Sequence, residues 1–441
     1  MTELNSQYAS IFKKRRKEND LSGIKFQEYM NSSTAVFQGT PVKCAFMPKF
    51  FSDDTWAYMQ KSAGIIYGIL EKVINKYIEC PEYRLLFPFS PELENLILTE
   101  AGYDCKLPIT RIDLFLNEDD LSFKFCEFNA DGTSAMNEDR ELLTAHHQTD
   151  VMQEFLKTHE VMGFELFDSW VNEFGNIYDT YKYKKTNPRI VIADFTDKAT
   201  PNEFIIFKAA FEKGGFVCDI VDIRTLKFEN NELQTEDGKR IDAVYRRAVT
   251  RDIMERFDEV QPLINAVKAN AVCLIGHFRT QIIHHKALFA ILRMKESLDF
   301  MSAEEAEFID KTIPLTFYHT KNEPMSKDAF NNKDNWILKP EDLYGSRGVY
   351  IGKDLNQDEW ENALKETQDK NYLLQVFAQP FKTENIDYNE ENAEIRMFNN
   401  ITGLFMYNGK LQGIYTRISV PSVISPTTGR TIGSMIARKK S

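Results

Sequence analysis

Arg111 and Asp113 stand two residues apart in RIDLFL, and Glu127 and Asn129 stand two apart in LSFKFCEFN. Both runs read as strands, where side chains two apart share a face. The polar tetrad Asn117-Glu118-Asp119-Asp120 between them predicts a hairpin over residues 111–116 and 121–129. If it closes there, the two pairs face each other. Two carboxylates and an amide oxygen on one face are hard donors of the kind Mg²⁺ takes when it also binds substrate phosphates. An arginine among them would screen phosphate charge. The same spacing fits an ordinary cross-strand salt bridge on an exposed sheet. Against that stands the alternation of Glu127 and Asn129 with Phe123 and Phe125 on one face, which would make polar groups emerge from a partly buried surface, where they need partners.

Further candidates lie late in the chain. WILKP ends a strand on Lys339, and Tyr344-Gly345-Ser346-Arg347-Gly348-Val349 follows within a few residues. A glycine loop after a strand lets backbone N–H groups approach phosphate oxygens, while a lysine supplies a point charge. A plain β-turn has the same composition. Neither GxxxxGK[ST] nor GxGxxG occurs, which excludes the common phosphate loops. Gln375, Val376 and Phe377 end an apolar run that is either core or a hinge whose backbone reads an adenine edge. Lys286 opens KALFAILRMKESL, which reads as a helix, and Arg417 closes the strand GIYTR. Each is a cationic candidate or surface charge. The pairs His146-His147 and His284-His285 are read as incidental, and there is no Ser-His-Asp or Cys-His signature.

These residues need a frame. Ile66, Ile69, Leu70, Val73 and Tyr77 follow the spacing of an amphipathic helix over residues 52–78. From Pro188, RIVIADF, NEFIIFKAAFEKGG and CDIVDI form a βαβ pattern, continued by IDAVYRRAV and AVCLIG. An open parallel sheet of this kind offers a docking platform at the carboxyl ends of its strands. After Lys286 the signals turn antiparallel, with Asn408-Gly409 marking a tight hairpin. The expected division is 1–180 (helices and the metal hairpin), 186–280 (the βαβ domain) and 281–441 (a nucleotide lobe), with a Lys-rich linker over 178–188.

Composition narrows the functional class. The chain has 441 residues, 43% hydrophobic and 27% charged, enough for two or three ordinary folded domains. A net charge of -12 gives no broad positive field for a nucleic acid. Six cysteines without CxxC spacing read as reduced thiols, and no apolar run is long enough to span a bilayer. A cytoplasmic protein is expected, with neither nucleic acid nor membrane as partner.

In order, RIDLFL, KFCEFNADGTS, HHKALFAIL, WILKPEDLYGSRGV, LLQVF and GIYTRIS resemble the circularly permuted ATP-grasp ligases, of which glutathionylspermidine synthase is a member. The resemblance runs from about Pro41 to the C-terminus and is sharpest at RxD, ExNxD and KP…GxxGV. It implies an α/β (α+β) ATP-grasp fold in permuted order, with the βαβ unit as its preATP-grasp-like domain. It implies ATP and Mg²⁺, two ions, held by Asp113, Glu127 and Asn129, with Arg111 beside the reacting phosphoryl group and Arg417 stabilising it in transfer. Lys286 and Lys339 would contact the phosphates, Gly345, Ser346 and Gly348 would close over them, and Gln375, Val376 and Phe377 would line the adenine pocket. The partners implied are a small-molecule or peptide carboxylate and an amine. The chain departs from many relatives at Asp131-Gly132-Thr133-Ser134, where a threonine and proline are usual after the aspartate. The amidase domain of some bifunctional relatives has no room here, so synthesis alone is implied. A non-catalytic ATP-binding scaffold or sensor and an ATP-dependent phosphotransferase are the competing expectations.

Overall fold

The runs carrying Arg111 and Glu127 form antiparallel strands, Ile109–Leu116 and Phe123–Asn129. They belong to a computed structural model that describes residues 3–197, 199, 201–343 and 345–440, so Tyr344 of the glycine loop lies outside the described residues. The second strand starts two residues later than the sequence suggests. Asn117 N–H closes the turn on the Ser122 carbonyl at 2.8 Å, Asp120 accepts from Ser122 N–H at 2.8 Å, and Leu121 takes a positive φ of 58°.

This hairpin is one edge of a six-stranded antiparallel sheet. Arg396–Tyr407 lies beside Ile109–Leu116, followed by Lys410–Ser419 and Arg430–Ile432, and Lys382–Asn385 pairs with the start of Arg396–Tyr407. The Asn408-Gly409 turn has φ values of 46° and 81° at its two central residues, the left-handed conformation that a two-residue hairpin requires. The inward face, with Ile112, Leu114, Leu116, Phe125 and Phe128, packs in one core with Ile66, Ile69, Leu70 and Val73 of the long helix Asp53–Glu79. That helix starts where Ser52 accepts from Thr55 N–H, an N-cap worth about 1 kcal/mol.

The βαβ reading corresponds to a four-stranded parallel sheet, in the order Cys273–Ile275, Ala243–Arg246, Arg189–Asp194, Val217–Asp222. A four-stranded antiparallel sheet follows, in the order Thr316–Tyr318, Tyr372–Val376, Trp336–Pro340, Tyr350–Ile351. Its separate core is built on Trp336, Leu338, Trp360 and Leu374. The segment opened by Lys286 is not one helix. His285 is extended (ψ 125°), and Lys286 N–H goes to the Glu341 carbonyl at 3.0 Å, leaving only the short turns Leu288–Ile291 and Lys295–Leu298. A tertiary hydrogen bond there takes the place of an intrahelical one. Among the described residues no helix is long and apolar enough to cross a membrane.

Candidate active site

The hairpin brings its two polar pairs into register, Arg111 opposite Asn129 and Asp113 opposite Glu127. The sequence argument about the phenylalanines does not hold. Pairing jumps from Asp113–Glu127 to Leu114–Phe125, so Cys126 is the extra residue of a β-bulge. The bulge changes the parity of the strand. Phe123, Phe125 and Phe128 all enter the core, and Glu127 and Asn129 stand on the opposite face with Arg111 and Asp113. Sequence periodicity carries no mark of such an insertion.

On that face Arg111 grips Asp113 with both prongs, Nε to Oδ1 at 2.8 Å and Nη2 to Oδ2 at 3.1 Å, and its Nη1 donates to the Ser134 carbonyl at 3.0 Å. Asn129 Nδ2 donates to Asp113 Oδ2 at 3.0 Å and to Glu127 Oε1 at 3.2 Å. Gly403 lies between Asp113 and Tyr415 in the sheet, and a Cβ there would stand 2.7 Å from Asp113 Oδ1 and 2.8 Å from Arg111 Cδ. Its bare backbone therefore lets Arg111 lie across the strand, with its guanidinium 5.2 Å from the Tyr415 ring centroid. Arg417 stands at 5.2 Å from the same ring.

A cleft of about 760 Å³ opens between this sheet and the Trp336–Pro340 sheet. Glu127, Lys286 and Lys339 give it a charged part, and Ile337, Val349, Ile351, Phe377, Ile401 and Ile424 give it apolar walls. Lys286 Nζ is 4.0 Å from Glu127 Oε2 and donates to the Leu343 carbonyl at 2.6 Å, while Lys339 Nζ donates to the Cys126 carbonyl at 3.4 Å. Ser346 and Gln375 also line the cleft, and Gln375 Nε2 donates to Thr316 Oγ1 at 2.8 Å. Gly345, Gly348 and Val376 do not line it, nor do Arg111, Asp113, Asn129 and Arg417. Val376 packs against the Trp336 core instead. Gly345, Ser346 and Gly348 share positive φ values of 69°, 59° and 70°, and a Cβ on Gly348 would meet the Tyr372 hydroxyl at 2.6 Å. The sequence reading missed Phe115, Ile401 and Ser422–Ile424 in the lining. Phe115 was within reach, two positions beyond Asp113 on one strand face. No local signal pointed to the segment after Ser419.

The electrostatics fit phosphate and metal chemistry. Burial alone would raise the Glu127 carboxyl, but Lys286, Arg111, the Asn129 amide and Lys339 outweigh it and hold it at about 2. Burial works against the Arg111 guanidinium, and Asp113 more than restores it. Burial pushes the Cys126 thiol up to about 11. Among the described residues no group of three or more His, Cys, Asp and Glu side chains forms a metal cage. Asp113, Glu127 and Asn129 are instead a set of two carboxylates and an amide, of which only Glu127 lines the cleft, and this suits Mg²⁺ shared with substrate phosphates.

A second cleft, of about 1900 Å³, lies at the carboxyl ends of Arg189–Asp194 and Ala243–Arg246. Gly132, Ser134, Asp194, Arg247, Asp252 and Arg347 line it. Ser346 and Arg347 thus face the two clefts from adjacent positions, and the chain that lines the first at Cys126 and Glu127 lines the second at Gly132 and Ser134.

No family model matches the chain. The chain has the fold of a glutathione synthetase-like effector, GSS30, from Globodera pallida, with a TM-score of 0.61 over 94% of this chain and 96% of that one at 12% identity. It is also 20% identical to an ATP-grasp enzyme, ankG, of Aspergillus thermomutatus over 405 residues, 82% of each chain. The structural likeness shows the fold, a mixed α/β architecture shared with that glutathione synthetase-like protein.

Proposed function

We propose that the protein is an ATP-dependent ligase that joins a carboxylate to an amine through an acyl phosphate, releasing ADP and phosphate. The order of its parts, metal strands ahead of the nucleotide lobe, supports the circularly permuted, glutathionylspermidine synthase-like form of the fold. The observation that carries the reading is the convergence of Glu127, Lys286 and Lys339 in one part of a cleft with apolar walls.

A carboxylate resists amines at neutral pH because oxide is a poor leaving group. Transfer of the γ-phosphoryl group of ATP to a carboxylate oxygen makes phosphate the leaving group, and the amine then attacks the acyl carbon. The protein's work is positioning and charge neutralisation. Lys286 and Lys339 hold the nucleotide phosphates, and Arg111 and Arg417 face the transferring group. The loop holding Gly345, Ser346 and Gly348 covers the phosphates. The apolar walls with Gln375 and Phe377 take the base. The N–H groups of Val376 and Phe377 already go to the Leu315 and Asn335 carbonyls, which leaves the hinge from Ala378 onward to read the adenine edge. Asp113, Glu127 and Asn129 would hold Mg²⁺, which supplies charge neutralisation across the phosphates when bound. The second cleft offers room for the carboxylate and the amine beside Ser134 and Arg111.

The test is Mg-ATP turnover with candidate carboxylates in the presence of hydroxylamine. Hydroxamate and ADP are expected. A phosphorylated product without an amide would make the protein a phosphotransferase, and tight nucleotide binding without turnover would make it a scaffold.

A further inference from the structure

We propose that Tyr415 is a positioning residue that holds Arg111 and Arg417 together as one paired cationic clamp and ties that clamp to the first turn of the helix Met136–His147. The proposal rests on the ligase reading for what the clamp acts on, and on geometry for the clamp itself.

Two guanidinium groups brought to one site repel each other; Asp113 offsets the charge of Arg111, and the Tyr415 ring gives both groups a common partner. Both stand 5.2 Å from the centroid of the Tyr415 ring, whose face is electron-rich and attracts cations. The hydroxyl completes the arrangement. Arg417 Nη2 donates to Tyr415 Oη at 2.5 Å, and an arginine has no acceptor to offer in return. The phenolic proton has two acceptors in reach, Thr431 Oγ1 at 3.1 Å and the nearer carboxylate oxygen Glu138 Oε2 at 2.6 Å; Glu138 Oε2 is the stronger acceptor and also accepts from Thr431 Oγ1 at 2.7 Å. A one-way chain results, Arg417 to Tyr415 to Glu138, and it places a carboxylate behind Arg417 without touching it. Tyr415 is 2% exposed, so water does not replace these partners, and burial keeps the phenol protonated.

Glu138 lies in the first turn of its helix, just past the loop whose Ser134 carbonyl receives Arg111. Both arginines are thereby referred to one segment, Arg111 through Ser134 and Arg417 through Tyr415 and Glu138. Gly403 is the other requirement, because any side chain there would push Arg111 off the ring.

The experiment compares wild type, Tyr415→Phe, Tyr415→Leu and Gly403→Ala. Tyr415→Phe keeps the ring and loses the hydroxyl chain. It should lower kcat about 10- to 100-fold, with the KM for ATP and the nucleotide Kd within about two-fold of wild type. In ¹H–¹⁵N spectra of the arginine side chains, Tyr415→Phe should shift Arg417 and leave Arg111. Tyr415→Leu should remove the ring-current shifts of both, and Gly403→Ala should move Arg111 alone. Wild-type kcat in Tyr415→Phe, a loss confined to KM, or unmoved resonances in Tyr415→Leu would overturn the proposal. Absence of turnover in wild type speaks against the ligase reading instead, and the spectra then decide the clamp on their own.

Discussion

Asp131, the aspartate of the ExNxD pattern, gives the sharpest test of how the hairpin is held. Its side chain is fully buried, with Oδ1 2.6 Å from Arg246 Nη2, itself 1% exposed, and Oδ2 accepting from Thr250 N–H. This pair pins the residues following Asn129 to the carboxyl end of Ala243–Arg246. Asp131→Asn changes charge with little change of shape. The hydrogen-bond acceptors that Arg246 keeps among the described residues are then neutral: the Gly276 and Ala248 carbonyls and the Thr250 and Thr280 hydroxyls. Breaking a buried pair this way costs about 3–5 kcal/mol. At about 2.1 cal/mol/K per residue, the 441-residue chain has an unfolding entropy near 0.9 kcal/mol/K, so the melting temperature should fall by about 3–5 °C. Removing both charges, as Asp131→Leu with Arg246→Met, should recover most of that loss. Scanning calorimetry of wild type, Asp131→Leu, Arg246→Met and the double variant gives the cycle beside Asp131→Asn, and nucleotide affinity should change by less than about three-fold, since Asp131 does not line the cleft that holds Glu127, Lys286 and Lys339. If Asp131→Asn weakened Mg²⁺ binding while melting like wild type, Asp131 would be a ligand and the anchor argument would fail.

Two other expectations concern the charges. Lys339→Met and Lys286→Met should each weaken binding of a non-hydrolysable ATP analogue by about 10- to 100-fold, the value of a hydrogen bond to a charged group, read by calorimetric titration. Unchanged affinity would remove that lysine from the phosphate site. Burial raises the Asp139 carboxyl to about 8, far above its unfolded value of about 3.9. The folded state therefore binds the proton more tightly, and stability present below pH ~4 is lost as the pH rises through about 8. Asp139→Asn lacks this loss, so its melting temperature should gain on wild type between pH 5 and pH 8.5. Parallel curves would show that Asp139 does not titrate there.

Local chemistry was legible in the sequence, and distance was not. The Arg111/Asp113 and Glu127/Asn129 face followed from a period of two and a turn, and the βαβ unit followed from apolar runs with glycine stops. The reasoning went wrong where one residue breaks the period, at Cys126, and where a tertiary bond replaces a local one, at Lys286. Whether a lysine before a proline is a phosphate ligand depends on what faces it. Lys339 faces the Cys126 carbonyl from the opposite sheet, a pairing no window of sequence contains.

That dependence explains why each motif alone was weak and their order informative. Arg111 has its stacking partner on Lys410–Ser419, reaches it across Arg396–Tyr407, and fixes its third hydrogen bond on the loop after Asn129. Strands from the first third and the last tenth of the chain must pair before either arginine is placed, with loop closure over some 290 residues opposing them. The long-range pairing is held by the core under Ile112, Leu114 and Phe128, and by Leu404 and Met406 from the distant strand. The apolar face of the sheet thus sets the geometry of its polar face. Only glycine at position 403 lets the two strands share a charged side chain.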